Sequence, residues 1–223
     1  YKARDRGLPY KEDLWVPGYF ELPIKKGESI IFSASTFVAK PEEFEKTYED
    51  EIATRTTRTS FYNCLKNSAK QFYYKKDDEM YIMAGYPWLN VRARDELMAL
   101  PGCTLSIDHK KDFETIMDTL VSALQRYINT GEKHRNIKEI DLPDISLWAI
   151  WAIQQYKRAY GNEECLEKYG HVVKYLVEAI REERIYNLYL NDNGLLSTNG
   201  QNSPVTWLCA TVNGRPIIPR TGY

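Results

Sequence analysis

An apolar stripe of helical spacing between residues 113 and 128 limits the fold more than any other feature of this sequence. Its members recur at intervals of three and four: Phe113, Ile116, Met117, Leu120, Val121, Leu124, Tyr127 and Ile128. This spacing predicts an amphipathic helix that packs one face on a core, and Gly131 is a suitable end for it. Residues 145–153 are apolar nearly all round, which predicts a helix that is buried on most of its faces.

The residues around these two segments also favour a mainly α-helical fold. Gly161 is predicted to end the helix that begins at Ile145, and Asn162 to cap the next one, whose apolar residues are Leu166, Tyr169, Val173, Leu176, Ala179 and Ile180. From Pro41 to about Tyr73 the pattern is again helical, with Tyr48, Ile52, Phe61, Leu65, Ala69 and Phe72 as candidate core positions. Residues 19–24 and 29–38 are instead short alternating or β-branched runs around a turn, which predict strands. From about Ile185, loops or short hairpins are expected.

Composition excludes several classes of function. The net charge of −1 gives no electrostatic footprint for nucleic acid or for an anionic membrane, and no apolar run approaches the roughly 20 residues that span a bilayer. The cysteines, at positions 64, 103, 165 and 209, are too scattered for a disulfide framework or a metal site. We therefore expect free thiols, a cytoplasmic protein, and no metal or other cofactor.

Residues 84–95 carry the side chains best suited to bind a sugar. Trp88 can cover the apolar face of a sugar ring, and Arg94 and Asp95 can bond to its hydroxyls. We also expect Arg94 to pair with Asp95 and keep that carboxylate ionised. The alternative from composition is an ordinary buried Arg–Asp pair beside a core tryptophan.

The same segment reads AGYPWLNVRARDELMALPG over residues 84–102. It resembles the signature AGYPWF-x-x-W-G-R-D-T-x-x-x-L-P-G of the glucosidase domain of glycogen debranching enzymes, the amylo-α-1,6-glucosidases. Residues 143–156 and 203–223 resemble two further motifs of this family in the same order, and residues 6–35 are similar to the junction before that domain. The resemblance implies that Arg94 and Asp95 bind hydroxyls of a terminal glucose. Arg92 stands where the family has a second tryptophan.

The second motif, PDISLWAIWAIQQY, contributes Asp144, for which the resemblance implies a sugar contact. An equal alternative from the residues alone is that Asp144 caps the helix that begins at Ile145. Trp148 lies on a nearly all-apolar helix, so we assign it to the core.

The third motif, SPVTWLCATVNGRPIIPRTGY, contributes Trp207 as a candidate sugar wall. Arg220 is expected either to orient the site or to hold its loop. The family's general acid is the aspartate of its T-W-M-D-A motif, and the matching residue here is Cys209. A thiol, with a pKa near ~8.5, is a poor proton donor to a departing alkoxide. The resemblance places the catalytic base beyond Tyr223.

The resemblance implies part of an (α/α)6 barrel, a ring of six helical hairpins. We expect residues 1–40 to be a β segment from a preceding β domain and residues 41–223 to be the N-terminal part of the barrel. About five helices cannot close a ring of twelve, so we expect a longer native chain or a second copy that covers the open face.

The function implied by the resemblance is hydrolysis of α-1,6 branch linkages in glycogen or another α-glucan oligosaccharide, with inversion. Such a reaction needs an acid and a base ~6.5–9.5 Å apart. Because Cys209 replaces the acid, a non-catalytic glucan-binding homologue is the alternative. An inverting (α/α)6 glycosidase of other specificity, such as a trehalase-like enzyme, is a third.

Overall fold

The computed structural model of the chain describes residues 2–5, 7, 11, 13–35, 38–86 and 88–222. Its α-helices are α1 (Lys2–Asp5), α2 (Phe44–Thr54), α3 (Phe61–Lys70), α4 (Ala93–Cys103), α5 (Lys110–Thr130), α6 (Ile145–Tyr160) and α7 (Asn162–Arg181). The strands are β1 (Tyr73–Lys76), β2 (Glu79–Ile82), β3 (Val91–Arg92), β4 (Ile137–Lys138), β5 (Tyr189–Leu190), β6 (Leu196–Asn199), β7 (Thr211–Val212), β8 (Arg215–Pro216) and β9 (Thr221–Gly222). The chain is therefore mainly helical, as predicted.

The first of two compact units, Tyr1–Arg55, contains α1 and α2, and its described residues 13–35 form no helix or strand. The strands predicted at 19–24 and 29–38 are wrong for the described part of those ranges; residues 36 and 37 lie outside it. A strand needs a neighbour for its backbone hydrogen bonds, and no strand pair among the described residues includes either range. The assignment of this segment to a preceding β domain stays a prediction.

The helical pattern predicted between residues 41 and 73 is confirmed as two separate helices. A short 3-10 turn at Pro41–Glu43 leads into α2, and Ser60 caps α3 by accepting a hydrogen bond from the Asn63 N–H at 3.2 Å. Four predicted core positions are wrong because their side chains are about half exposed or more: Tyr48, Ile52, Phe61 and Leu65. Periodicity shows which residues share a face, but it does not show whether another element covers that face.

The core of the second unit, Thr56–Tyr223, lies between the β1–β2 hairpin and helices α4 to α7. Phe113 of α5 packs against two tyrosines, with ring centroids 5.3 Å from Tyr156 and 6.3 Å from Tyr169. The predicted stripe on α5 is confirmed, since its residues from Phe113 to Leu124 are buried. Gly131 ends this helix in the left-handed region, at φ +73°.

Helices α6 and α7 pack side by side, and Gly161 joins them at φ +94°. Gly161 occupies the cap position of α7 and Asn162 is its first helical residue, so the predicted asparagine cap is wrong by one position. Leu166 is also wrong as a core residue, because it is 59% exposed. It lies with Leu147 and Val173 along an apolar groove of about 460 Å³ between the two helices. A second copy of the chain on this side stays a prediction.

The segment after residue 185 forms short strands, as predicted. Strand β6 pairs antiparallel with both β5 and β9, and β7 pairs with β8. The Gly200 N–H donates to the Arg220 carbonyl at 2.6 Å. A Cβ atom at Gly200 would lie 2.5 Å from that carbonyl oxygen, so a glycine allows the backbone at Arg220 to approach.

The helices of the second unit are compatible with a helical glycosidase domain, and the closed (α/α)6 barrel stays a prediction. Among the described residues, no helix combines the length and the apolar character required to cross a bilayer.

Candidate functional site

A buried ion pair between α4 and α6 organises the candidate site. Arg94 lies in the first turn of α4 with its side chain 3% exposed, and Asp144 directly precedes α6. The Arg94 Nε atom donates to Asp144 Oδ2 and its Nη2 atom to Oδ1, each at 2.8 Å. This two-pronged geometry is the strongest arrangement available to an arginine and a carboxylate, so it fixes the start of α6 against α4.

The predicted pairing of Arg94 with Asp95 is wrong. Residues 93–103 form helix α4 rather than a turn-rich stretch, and neighbouring side chains on a helix point in different directions. Asp95 instead pairs with Arg92 at 3.4 Å. Arg92 also holds Glu139 through hydrogen bonds of 3.2 and 2.6 Å.

Asp144 occupies the cap position of α6, but its side chain makes no capping hydrogen bond. Its Oδ2 atom accepts a second bond, from the Trp148 indole N–H at 3.2 Å. Trp148 lies one turn along α6, where a side chain can reach back to the helix start. The prediction that Asp144 caps α6 is therefore confirmed for its position, but wrong for its side chain, which bonds to Arg94 and Trp148 instead of the helix backbone.

An open cavity of about 370 Å³ lies beside this carboxylate. We call it the tryptophan cavity, and its lining residues are Asp144, Leu147, Trp148, Trp151, Thr206, Trp207 and Arg220. The structure thus brings together three residues singled out from the sequence: Asp144, Trp207 and Arg220. Trp207 is 59% exposed, so one of its surfaces is available to a ligand.

Two tryptophans of this cavity were missed as site residues because their helix is so apolar. Trp148 and Trp151 are only partly buried, and their rings meet edge to face at 5.3 Å. The spacing of Asp144, Leu147, Trp148 and Trp151 is i, i+3, i+4, i+7, which places them on one helical face. The spacing from Asp144 is therefore the sequence feature that predicts Trp148 and Trp151 as site residues.

Trp88 does not line the tryptophan cavity, and neither do Asp95 and Cys209. Trp88 is 78% exposed on the loop of residues 84–90. The Ala84 N–H closes that loop by donating to the Asn90 carbonyl at 2.8 Å. The structure therefore joins Arg94 to Asp144, but Arg94 lies behind that carboxylate and, like Trp88, is not a lining residue of the tryptophan cavity.

Arg92, Asp95 and Glu139 form a second charged group, which we call the Arg92 cluster. The Glu139 hydrogen bond is the largest cause that raises the pKa of Arg92, and the charges of Asp95 and Cys209 add to it. Cys209 is an exposed free thiol. Glu139 has a left-handed backbone, φ +60°, which is uncommon for a residue other than glycine.

Another carboxyl group lies inside the protein. Glu96 of α4 is fully buried, and its Oε1 atom accepts the Ile82 N–H at 2.7 Å. Its Oε2 atom has no hydrogen-bond partner among the residues that the structure describes. Burial raises the pKa of Glu96 well above its ordinary value. This bond ties α4 to the β1–β2 hairpin and does not contribute to the tryptophan cavity.

The tryptophan cavity offers aromatic walls, a hydroxyl, a guanidinium and one carboxylate, Asp144. Such a set can stack on a sugar ring and bond its hydroxyls. Its single carboxylate is already engaged by Arg94 and Trp148, and hydrolysis of a glycosidic bond needs two carboxyl groups. Among the described residues, no group of His, Cys, Asp and Glu side chains forms a candidate metal site.

Comparison with known proteins gives one match. The family model described as amylo-alpha-1,6-glucosidase matches residues 56–223, which is the whole of the second compact unit. Neither the curated proteins nor the solved structures contain a match to the chain.

Proposed function

The chain belongs to the amylo-α-1,6-glucosidase family, and from that premise we propose that it binds the end of an α-glucan chain in the tryptophan cavity. The observation that carries the proposal is the convergence of Trp148, Trp151 and Trp207 around Asp144. The family suggests an α-glucan as the substrate, and this cavity is where the described residues offer aromatic walls beside hydroxyl-binding groups.

The cavity is preorganised for that task. Arg94 and Trp148 hold the Asp144 carboxylate in one orientation, so little freedom is lost when a sugar hydroxyl bonds to it. Arg220 is brought to the rim by the pairing of β6 with β9, where Gly200 contacts the backbone of Arg220. Trp207 supplies the exposed apolar surface on which a glucose ring can stack.

Calorimetric titration of maltooligosaccharides into the full chain tests this proposal. We expect Trp207→Ala and Arg220→Gln to weaken binding by about tenfold each, because a stacking contact or a charged hydrogen bond is worth roughly 1.4 kcal/mol. Tyr186→Ala is the matched control, since Tyr186 is 73% exposed and does not line the cavity. Equal affinities for Trp207→Ala and Tyr186→Ala would reject the tryptophan cavity as the glucan site.

Trp88→Ala and Asp95→Ala distinguish this site from the one expected from the sequence motif. If the glucan binds in the tryptophan cavity alone, both variants keep the affinity of the unmodified chain. If they lose affinity while Trp207→Ala does not, the sugar binds beside Trp88. Trp88 and Asp95 then have the sugar-binding role that the family motif implies.

The second candidate function is hydrolysis of the α-1,6 linkage with inversion, and the Arg92 cluster favours it. Asp95 and Glu139 lie together on one guanidinium, 3.4 Å and 2.6 Å from its nitrogen atoms. Cys209 matches the family's acid position in the sequence motif, and it is among the groups that raise the pKa of Arg92. A carboxylate paired with an arginine suits the role of the base that activates water, and protonation of the leaving oxygen then falls to the residue at position 209.

Glucose release from a branched dextrin tests the catalytic proposal. We expect slow release by the unmodified chain and faster release by Cys209→Asp, with Cys209→Ser as the control that lacks an acid. The loss of a general acid costs ~10²–10⁴ in rate. Rapid release that Cys209→Ala does not change would show that Cys209 is not the acid position. Glucan binding without release by any of these variants would favour the non-catalytic homologue.

A further inference from the structure

Another cavity, of about 530 Å³, is lined by residues on both sides of Trp88 in the sequence. Its walls come from the β1–β2 hairpin, the loop of residues 84–90 and the segment around β4. The lining residues that matter chemically are Tyr74, Met83, Tyr86, Asn90, Arg135 and Lys138. We call it the tyrosine cavity. It shares no lining residue with the tryptophan cavity.

The aromatic walls of the tyrosine cavity are held in place from behind. The Tyr74 ring stacks on Tyr81, with centroids 6.0 Å apart, and Tyr81 is fully buried. The Tyr86 ring leans on Phe72 at 5.7 Å, and its hydroxyl donates to the Gln71 carbonyl. Rings that are already ordered lose little conformational entropy when a ligand stacks on them.

Backbone contacts also position the residues that carry these walls. The loop of residues 84–90 is closed by the bond from the Ala84 N–H to the Asn90 carbonyl, and Asn90 has a left-handed φ of +54°. The next residue, Val91, pairs in parallel with Ile137. This pairing sets Arg135 and Lys138, on either side of Ile137, next to the loop.

The charge of the tyrosine cavity is positive. Arg135 and Lys138 are exposed, and in the part of the chain that the structure describes neither forms an ion pair. None of the described residues that line the cavity carries a carboxylate. Glu79 is near enough for the Arg135 charge to contribute to its lowered pKa, although the Tyr81 hydrogen bond is the largest cause. Glu139, beside Lys138 in sequence, is already engaged by Arg92.

We propose that the tyrosine cavity binds a phosphate monoester of a ring compound, which is either a sugar phosphate or a nucleotide. The ring would stack against Tyr74 and Tyr86, both partly exposed. The phosphate would be bound by Arg135, whose planar fork matches phosphate oxygens, and by Lys138 as a second positive charge. Two cations without a carboxylate between them favour an anion over a neutral sugar.

Calorimetric titration of the full chain with glucose 6-phosphate, AMP, glucose, adenosine and inorganic phosphate tests this proposal. At least one ester is expected to bind about tenfold or more tightly than both its ring alone and phosphate alone, because only the ester uses both kinds of wall. A preference for AMP identifies a nucleotide site, and a preference for glucose 6-phosphate identifies a sugar phosphate site. The affinity should fall as salt is raised.

The variant that decides the question is Arg135→Gln with Lys138→Gln, and Lys75→Gln with Lys111→Gln is the control. The control removes the same charge from exposed lysines that do not line the cavity. We expect the first double variant to weaken ester binding by about 10- to 100-fold and the control to leave it nearly unchanged. Circular dichroism checks that both variants are folded, and Tyr74→Leu should weaken the ester but not inorganic phosphate.

Three results would overturn the proposal: no binding of either ester at millimolar concentration, equal affinity for an ester and for inorganic phosphate, or equal losses in the two double variants. None of them bears on maltooligosaccharide binding, which depends on Trp207 and Arg220 in the tryptophan cavity.

Discussion

Asp144→Asn is expected to lower the free energy of unfolding of the second unit by about 3–5 kcal/mol, the cost of leaving a buried charge without its partner. Arg94 is 3% exposed and Asp144 13% exposed, and two bonds of 2.8 Å join them. With charge centres about 4 Å apart and an effective dielectric of about 20, their attraction is about 4 kcal/mol. Asparagine keeps the shape, but it loses the charge and turns an amide N–H₂ toward the guanidinium.

Urea unfolding followed by circular dichroism measures this loss, and Asp95→Asn is the matched control. The Asp95 side chain is 44% exposed and its Arg92 partner 28% exposed, so we expect its replacement to cost less than about 1 kcal/mol. Replacement of both members of the buried pair by apolar residues, Arg94→Met with Asp144→Leu, should cost less than Asp144→Asn alone. If the two asparagine variants lose the same amount, the buried pair does not organise the site.

Two further predictions concern other buried contacts. Burial raises the pKa of Glu96 above its ordinary value of 4.5. The folded state therefore binds more protons than the unfolded state, and stability falls as pH rises from about 4.5 through the raised pKa. Glu96→Gln should accordingly melt at a higher temperature than the unmodified chain, by a margin that widens as pH rises above about 4.5. Gly200→Ala should lower the melting temperature and weaken maltooligosaccharide binding, because its Cβ atom would lie 2.5 Å from the Arg220 carbonyl oxygen; unchanged binding would mean that the position of Arg220 does not depend on this contact.

The spacing of apolar residues in the sequence predicts correctly those helices whose apolar face packs against another element. Helix α5 is the clearest case, because its stripe from Phe113 onward packs on the hairpin and on α6. Helix α4 was missed because its first half is polar and charged and its end contains Pro101 and Gly102, which usually indicate a turn. The exposure of Phe61 was not predictable, since it depends on what lies next to α3 and not on the sequence of α3.

The sequence predicts several residues of the candidate site, but it does not predict which residues they bond to. Asp144, Trp207 and Arg220 line one cavity, although 76 residues of chain separate the first from the last. The partner of Arg94 is 50 residues away, and only the packing of α4 on α6 selects Asp144 over the adjacent Asp95. The pairing of Arg94 with Asp144 depends on tertiary packing, which a sequence motif alone does not predict.

Asp144 can still contribute to recognition, although it also holds the fold together. A carboxylate has about four lone-pair sites, and three are filled: one on Oδ1 by Arg94, and two on Oδ2 by Arg94 and Trp148. One site therefore remains, on Oδ1, and it can accept a single sugar hydroxyl. Because the remaining site belongs to a group fixed between an arginine and a tryptophan, Asp144 is suited to orienting a sugar and poorly suited to moving a proton. Any Asp144 variant would also disturb the buried pair, so Trp207 and Arg220 are the residues through which binding can be measured separately from stability.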